Sequence, residues 1–443
     1  MAKPIVAIVG RPNVGKSQLF NRITGKRISI VEDTPGVTRD RIISDADWLN
    51  HNFLLIDTGG IEPDSPDEIT AMMKRQAEAA IETADVVIFL TDVRAGVTAT
   101  DHEVAAMLMR SKKPIILACN KCDTPGEPPM EFYEFYNLGL GDPVAISAIQ
   151  GMGIGDLLDL VVENFPHASE LEEDEDVLKI AVIGKPNAGK SSLINRLLGE
   201  ERLIVSNIPG TTRDAIDTYV EKDGQKYLFI DTAGIRRKSK VNEKVEKYSV
   251  LRSYAAIERA DICLIMLDGT EGVTEQDTKI AGYAHNEGKA SIFVVNKWDI
   301  IDKDDKTMDR MKLEIKEGFS YMMYAPALFI SAKTGQRIDT IFPMLRAVNE
   351  NRNRRVTTGM LNDLIADATA RVQPPTDKGR RLKILYAVQS ATNPPQFVIF
   401  VNDVRLMHFS YERYLENQLR NSFDFTGTPI KFYIRERNEK KKL

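Results

Sequence analysis

Ile8-Val9-Gly10-Arg11-Pro12-Asn13-Val14-Gly15-Lys16-Ser17 recurs as Val182-Ile183-Gly184-Lys185-Pro186-Asn187-Ala188-Gly189-Lys190-Ser191, and this doubling decides the fold. Each copy leaves a short apolar run, passes through Gly-x4-Gly-Lys-Ser and enters a helical pattern. Glycines let backbone N–H groups turn inward around an anion, and the following helix aims its positive end at the same point. Lys and Ser complete a phosphate-binding loop. The rival reading, a glycine-rich turn without a ligand, would have to arise twice in the same strand–loop–helix context.

The rest of the chain repeats in the same order. Thr38-Arg39-Asp40 returns as Thr212-Arg213-Asp214, and Asp57-Thr58-Gly59-Gly60 as Asp231-Thr232-Ala233-Gly234, all at an offset of 174. Asn120-Lys121-Cys122-Asp123 returns as Asn296-Lys297-Trp298-Asp299 at 176, and Ser147-Ala148 as Ser331-Ala332 at 184. A period this long means duplicated domains rather than a solenoid. Apolar runs at Ile5–Val9, Phe53–Ile56, Val86–Leu90 and Ile115–Ala118 read as strands buried on both faces, as do Lys179–Ile183, Tyr227–Ile230, Ile262–Leu267 and Ser291–Val295. Helical patterns such as Thr70–Thr83 and Asn242–Glu258 lie between them. Each copy is therefore expected to be an α/β domain with a doubly wound, mostly parallel sheet. The expected division is 1–166, an acidic linker at 167–177, 178–350, and a small α+β region at 351–443. In that last region the patterns at Asn362–Arg371, Lys383–Val388, Phe397–Val401, Ser410–Ser422 and Ile430–Ile434 run α-β-β-α-β.

The chain has 443 residues, which suits three domains, and a formal net charge of −5. That average argues against nucleic acid but hides a division. From Arg352 onward there are 17 Lys and Arg against 9 Asp and Glu, a net of +8, which leaves −13 for the remainder. The longest apolar runs are too short to span a bilayer, and no signal peptide is visible, so a cytoplasmic protein is expected. The Cys119-x-x-Cys122 pair could mean redox or zinc chemistry. No second thiol pair exists to complete a zinc site, and the intervening residues belong to the repeated motif.

The motifs predict a nucleotide chemistry. Lys16 and Lys190 reach the β- and γ-phosphates, and Ser17 and Ser191 ligate Mg²⁺. Asp57 and Asp231 hold the same ion through water, while the N–H groups of Gly60 and Gly234 contact the γ-phosphate. Thr38 and Thr212 each lie 21 residues beyond the loop serine, where a mobile segment supplies a second hydroxyl to Mg²⁺. Guanine presents N1–H and N2–H₂ as adjacent donors, which one carboxylate, Asp123 or Asp299, accepts together; adenine offers no such pair. Asn120 and Asn296 can bond the base edge, the stems of Lys121 and Lys297 can cover the ring, and a backbone N–H at Ser147-Ala148 or Ser331-Ala332 can meet guanine O6.

The ordered motif set resembles translation-factor-class GTPases. Two such domains followed by a basic α+β region are similar to the Der (EngA) family of bacterial ribosome-assembly GTPases. The resemblance implies two G domains and a KH-like C-terminal domain. It further implies GTP hydrolysis and a role in maturing the large (50S) ribosomal subunit, with ribosomal RNA as partner. Two departures stand out. Ras-like enzymes place a water-orienting Gln after D-x-x-G, whereas this chain has Ile61 and Ile235. GTPases with a hydrophobic residue there use the phosphate-loop Asn, here Asn13 and Asn187, to bind K⁺; the rival is that each Asn only braces its loop. Second, a KH domain clamps RNA with G-x-x-G, and Gly359, Gly379 and Gly427 make none. The charge of Lys378, Arg380, Arg381, Lys383 and the basic tail still suits phosphate; the rival is a solvated basic face that only docks onto the acidic G domains.

The expected function is a monomeric GTP/GDP switch that binds RNA. Alternatives are a binding protein in which one nucleotide site is only structural, and a membrane-remodelling GTPase, for which no span or amphipathic anchor is visible. The loop after Gly60 is acidic (Glu62, Asp64) and the one after Gly234 basic (Arg236, Arg237, Lys238, Lys240), so the second is the one expected to meet RNA.

Overall fold

The computed structural model describes residues 3–25, 43–57, 77–78, 80–81, 83–166, 177–199, 204–206, 217–230, 246–377 and 379–436. The chain forms two compact units, Met1–Asp174 and Glu175–Leu443. The first holds a six-stranded sheet of β1 (Ile5–Gly10), β2 (Ile43–Trp48), β3 (His51–Asp57), β4 (Val86–Asp92), β5 (Ile115–Asn120) and β6 (Val144–Ala145), in the order β2-β3-β1-β4-β5-β6. Every neighbouring pair is parallel except β2 and β3. All residues of β1 and β4 are buried, because helices cover both faces of a parallel sheet. Helices α1 (Lys16–Thr24), α2 (Ala99–Arg110) and α3 (Ile154–Glu163) belong to this unit. The strand order reverses beside β1, so a crevice opens at its carboxyl end, where the phosphate loop lies.

The second unit repeats this plan with β7 (Val177–Ile183), β8 (Ile204–Ser206), β9 (Thr218–Lys222), β10 (Gln225–Ile230), β11 (Ile262–Asp268), β12 (Ala290–Asn296) and β13 (Ala327–Phe329). Their order is β13-β12-β11-β7-β10-β9-β8, the first sheet with one further edge strand. Its helices are α4 (Lys190–Leu198), α5 (Glu246–Arg259), α6 (Glu275–Asn286), α7 (Thr307–Gly318) and α8 (Ile341–Arg352). All eight apolar runs read as strands are strands, each extended by one or more residues. The antiparallel strands β2, β8 and β9 were not expected: β2 and β9 mix charge with apolar residues, and β8 is only three residues long. Asp223 and Gly224 sit at φ 53 and 79, the left-handed pair that a two-residue hairpin between β9 and β10 requires. The helix expected over Asn242–Glu258 is observed as Glu246–Arg259, and most of the one expected over Thr70–Thr83 lies outside the described residues.

The terminal region follows the α-β-β-α-β order: α9 (Thr358–Arg371), then a short hairpin of β14 (Thr376–Asp377) and β15 (Arg380–Arg381), β16 (Ile384–Ala391), β17 (Gln396–Val401), α10 (Phe409–Ser422) and β18 (Lys431–Glu436). The hairpin was not foreseen. β17 pairs antiparallel with β16 and parallel with β18, and Leu361, Ile365, Phe397, Ile399, Leu415 and Leu419 form the core. The region packs on the second G-type domain: Ser291 N–H donates to Gly427 C=O at 2.7 Å, and Gly427 N–H donates to Tyr324 C=O at 2.8 Å.

Candidate nucleotide sites

The phosphate loops are built by backbone constraint. β1 ends at Gly10, where any Cβ would collide with the carbonyl of Leu90, and β7 leads to Gly184, where it would collide with that of Met266. Asn13 and Asn187 are exposed at φ 63, a left-handed conformation that Asn tolerates. Gly15 and Gly189 follow at φ 99 and 96, and no side chain caps the helix that begins at Lys16 or Lys190. The first-turn N–H groups therefore face the loop, where an anion satisfies them. Lys16 Nζ donates to the carbonyls of Gly10 and Arg11 at 2.7 and 2.6 Å. Burial lowers its pKa to about 8, against an opposing pull from Asp57. Lys190 Nζ reaches the carbonyls of Gly184 and Lys185 in the same way. Ser17 Oγ donates to Asp57 Oδ2 at 2.8 Å, so two of the expected Mg²⁺ oxygens stand together. Thr38, Gly60, Thr212, Asp231 and Gly234 lie outside the described residues, as do Ile61, Ile235, the charged loops after Gly60 and Gly234, Lys378, the acidic linker and the basic tail.

The side chains of Arg11 and Lys185 are engaged in ion pairs with carboxylates. Arg11 Nε pairs at 3.0 Å with Asp101 Oδ1, a fully buried carboxylate that also caps α2 by accepting from Thr98 N–H and Oγ1. Lys185 Nζ meets Glu271 at 2.7 Å but stands 3.8 Å from Asp277 Oδ2, and Asp277 Oδ1 is buried without a hydrogen-bond partner. Burial raises the pKa of Asp277. These side chains tie the phosphate loop to the next helix cap, while their backbones stay in the loop. Pro12 and Pro186 are half-buried in the loop, and Val14 and Ala188 are core residues. Asp101 and Asp277 were missed; their signal was the capping box Thr-x-x-Asp, repeated at 176 like the Asn-Lys-x-Asp motif.

At the base end, both copies share one staple. Asn120 is 2% exposed; its Nδ2 donates to Val14 C=O at 2.7 Å and its Oδ1 accepts from Ala148 N–H at 2.9 Å. Asn296 bonds Ala188 C=O and Ala332 N–H, both at 2.9 Å. Each asparagine thereby holds three loops together, its oxygen on the N–H of Ala148 or Ala332, while its –NH₂ carries a second hydrogen besides the one given to the phosphate loop. The cause is burial, which obliges the carboxamide to find partners. Lys121 and Lys297 sit at φ 70 and 62, with Nζ paired to Asp92 and Asp268 at the ends of β4 and β11. Those aspartates were also missed. Asp123 Oδ1 accepts from Ser147 Oγ, and Asp123 Oδ2 pairs with Arg94 at 2.6 Å. The Ser331 hydroxyl holds the Asp299 carboxyl below the usual carboxylate range.

A family model described as 50S ribosome-binding GTPase matches residues 5–121 and 179–297. A second, the KH-domain-like C-terminal region of EngA bacterial GTPase enzymes, matches 355–435. GTPase Der of Acetivibrio thermocellus is 63% identical over 439 residues, 99% of this chain and 100% of that protein. The chain belongs to the Der (EngA) GTPase family. GTPase Der of Ruminiclostridium cellulolyticum is 64% identical over the same share of both chains. Among solved structures, a probable GTP-binding protein engB aligns with 36% of this Der-family chain and 97% of its own, at 26% identity and a TM-score of 0.28. The Der-family chain is thus a P-loop GTPase with tandem GTP-binding domains and a KH-like domain.

Other features of this Der-family chain bear on the readings left open. Cys119, Cys122 and Cys263 are buried free thiols, and burial pushes Cys119 up to about 12, so its thiol stays protonated. That disfavours redox chemistry at Cys119-x-x-Cys122. Among the described residues, no helix is long and apolar enough to cross a membrane. On the KH-like domain Arg380, Arg381 and Lys383 are exposed, but Arg380 is paired with Asp403 at 3.2 Å.

Proposed function

We propose that this chain is a GTP-driven switch in maturation of the large ribosomal subunit, with both G domains turning over nucleotide. The observation that carries the proposal is the paired staple: in each copy one buried asparagine fixes the phosphate loop to the loop that presents the base carboxylate, Asp123 or Asp299. A site built at both ends in both copies argues against a purely structural role for either. GTP seats its phosphates on the N–H groups of the phosphate loop and under Lys16 or Lys190, and its guanine on the carboxylate.

The Mg²⁺ proposed for each site finds hard oxygen ligands, as the Ser17–Asp57 contact illustrates. Ser17, Thr38 and Asp57 hold it in the first site, and Ser191, Thr212 and Asp231 in the second. When bound it neutralises charge on the β- and γ-phosphate oxygens. Thr38, Gly60, Thr212 and Gly234 sense the γ-phosphate, so its loss releases their loops. Ile61 and Ile235 cannot orient water; in this reading Asn13 and Asn187, exposed in the phosphate loops, hold K⁺ beside the phosphates instead. Matched turnover in KCl and NaCl tests this; equal rates overturn it.

The domain division at 166, 177 and 350 belongs to the same proposal, as do a cytoplasmic, monomeric protein and rRNA contact through the KH-like domain. The description of the family model, a 50S ribosome-binding GTPase, supports the ribosomal reading. Co-sedimentation with 50S subunits under a GTP analogue, GDP and no nucleotide is the test. The switch predicts association that differs among the three; equal association removes it.

A further inference from the structure

The two base sites share the aspartates, lysine and serine of their motifs but differ in residues around them. Asp92, Lys121 and Asp123 correspond to Asp268, Lys297 and Asp299 at an offset of 176, but Arg94 corresponds to Thr270. Arg94 begins just past Asp92, whose carboxylate accepts its N–H at 3.0 Å and so fixes where the side chain starts. From there its Nη2 reaches Asp123 Oδ2 at 2.6 Å, with side-chain exposures of 65% and 21%. The other oxygen of Asp123 is held by Ser147. Thr270 turns back instead, and its N–H and hydroxyl both donate to Asp268 Oδ1, at 3.0 and 2.6 Å. Asp299 is thereby left without a guanidinium neighbour at this position.

The chemistry of this pair is specific. The N1–H and N2–H₂ edge of guanine is itself a guanidine fragment, a planar set of N–H donors. Arg94 offers the same kind of planar, bidentate donor to the same carboxylate. We infer that Arg94 is an internal competitor for guanine at Asp123, and that it makes the first site exchange nucleotide faster and hold it more weakly than it otherwise would. The inference rests on the reading of Asp123 as the base carboxylate. Guanine docks only when the Arg94–Asp123 pair opens. Among the described residues the second site carries no guanidinium on its carboxylate; Lys333 and Lys303 lie near Asp299, and a single ammonium lacks the planar donor fork that mimics guanine. The pair is largely exposed, so its effect is modest and salt-dependent.

The test uses the full chain with one site isolated at a time. Asp299→Asn removes the guanine-selective carboxylate of the second site, and Asp123→Asn that of the first. Fluorescent GDP is then followed at the remaining site. Arg94→Thr should tighten the first site about two- to fivefold, mainly through slower dissociation. Thr270→Arg should loosen the second site by a similar factor, and both changes should shrink in 1 M salt. Unchanged or weaker GDP binding in Arg94→Thr overturns the competitor role. The parent reading is judged separately: Asp123→Asn should turn the first site from guanine to xanthine nucleotide, whose C2 oxygen suits an amide donor. Failure of that switch removes the base-site assignment itself.

Discussion

Lys16 offers the sharpest quantitative test of the phosphate loop. Its ammonium is buried against the carbonyls of Gly10 and Arg11, and desolvation draws its pKa from 10.5 to about 8. A bound phosphate chain favours the charged form and returns the group toward its ordinary range. Binding should therefore take up the proton that the free site lacks. With a pKa of about 8, that is about three-quarters of a proton at pH 8.5. Apparent affinity should fall about eightfold between pH 7.5 and pH 9. The assay is titration calorimetry of GDP against the Asp299→Asn chain, in two buffers of different ionisation enthalpy. Lys16→Arg, which cannot lose its proton, provides the control that takes up none. Uptake below about 0.2 proton at pH 8.5, with flat affinity, would refute the argument. The same shift has a stability consequence. Between pH 8 and 10.5 the unfolded chain binds more protons at this residue than the folded one, so folding stability should rise with pH across that window. The total gain is about 3 kcal/mol, absent below pH 8 and complete above 10.5.

Three further outcomes are expected. Asn120→Ala leaves Val14 C=O and Ala148 N–H buried without partners, so urea unfolding of the first unit should show a loss of about 2–6 kcal/mol, with GDP affinity at that site falling alongside; an effect below 1 kcal/mol would mean the staple is not needed. Lys185→Arg lengthens the reach toward Asp277, giving its unpartnered Oδ1 a donor, and should stabilise the second unit by about 1 kcal/mol in the same assay. The three buried thiols should resist alkylation at pH 8 until the chain unfolds, and rapid native labelling of Cys119 would contradict its raised pKa.

The strands were readable because both faces of a parallel sheet are covered. Runs such as Val86–Leu90 must then be apolar throughout, whereas the short parallel edge strands β6 and β13 gave too little sequence to read. β9 escaped because it is an edge-side antiparallel strand, Thr218–Lys222, with charge interleaved; only the Asp223-Gly224 turn betrayed it. In the sites, groups that touch phosphate, Mg²⁺ or base carry motif signatures. The residues that hold those groups in place do not. Asp92, Asp101, Asp268 and Asp277 act through hydrogen bonds and ion pairs to residues far away in sequence, and a lone aspartate after a strand or in a helix cap is ordinary.

The sequence by itself determined the tandem architecture, the order of the terminal α-β-β-α-β domain and the chemistry expected at each nucleotide site, since local spacing and periodicity encode all three. Only the tertiary structure decided what the side chains of the motifs spend their polar atoms on. It showed Asn120 and Asn296 stapling their loops, Arg11 and Lys185 held in ion pairs, and Arg94 on Asp123. The physical reason is that a buried polar atom must be satisfied, and which partner satisfies it depends on loops that meet only when the sheet has formed.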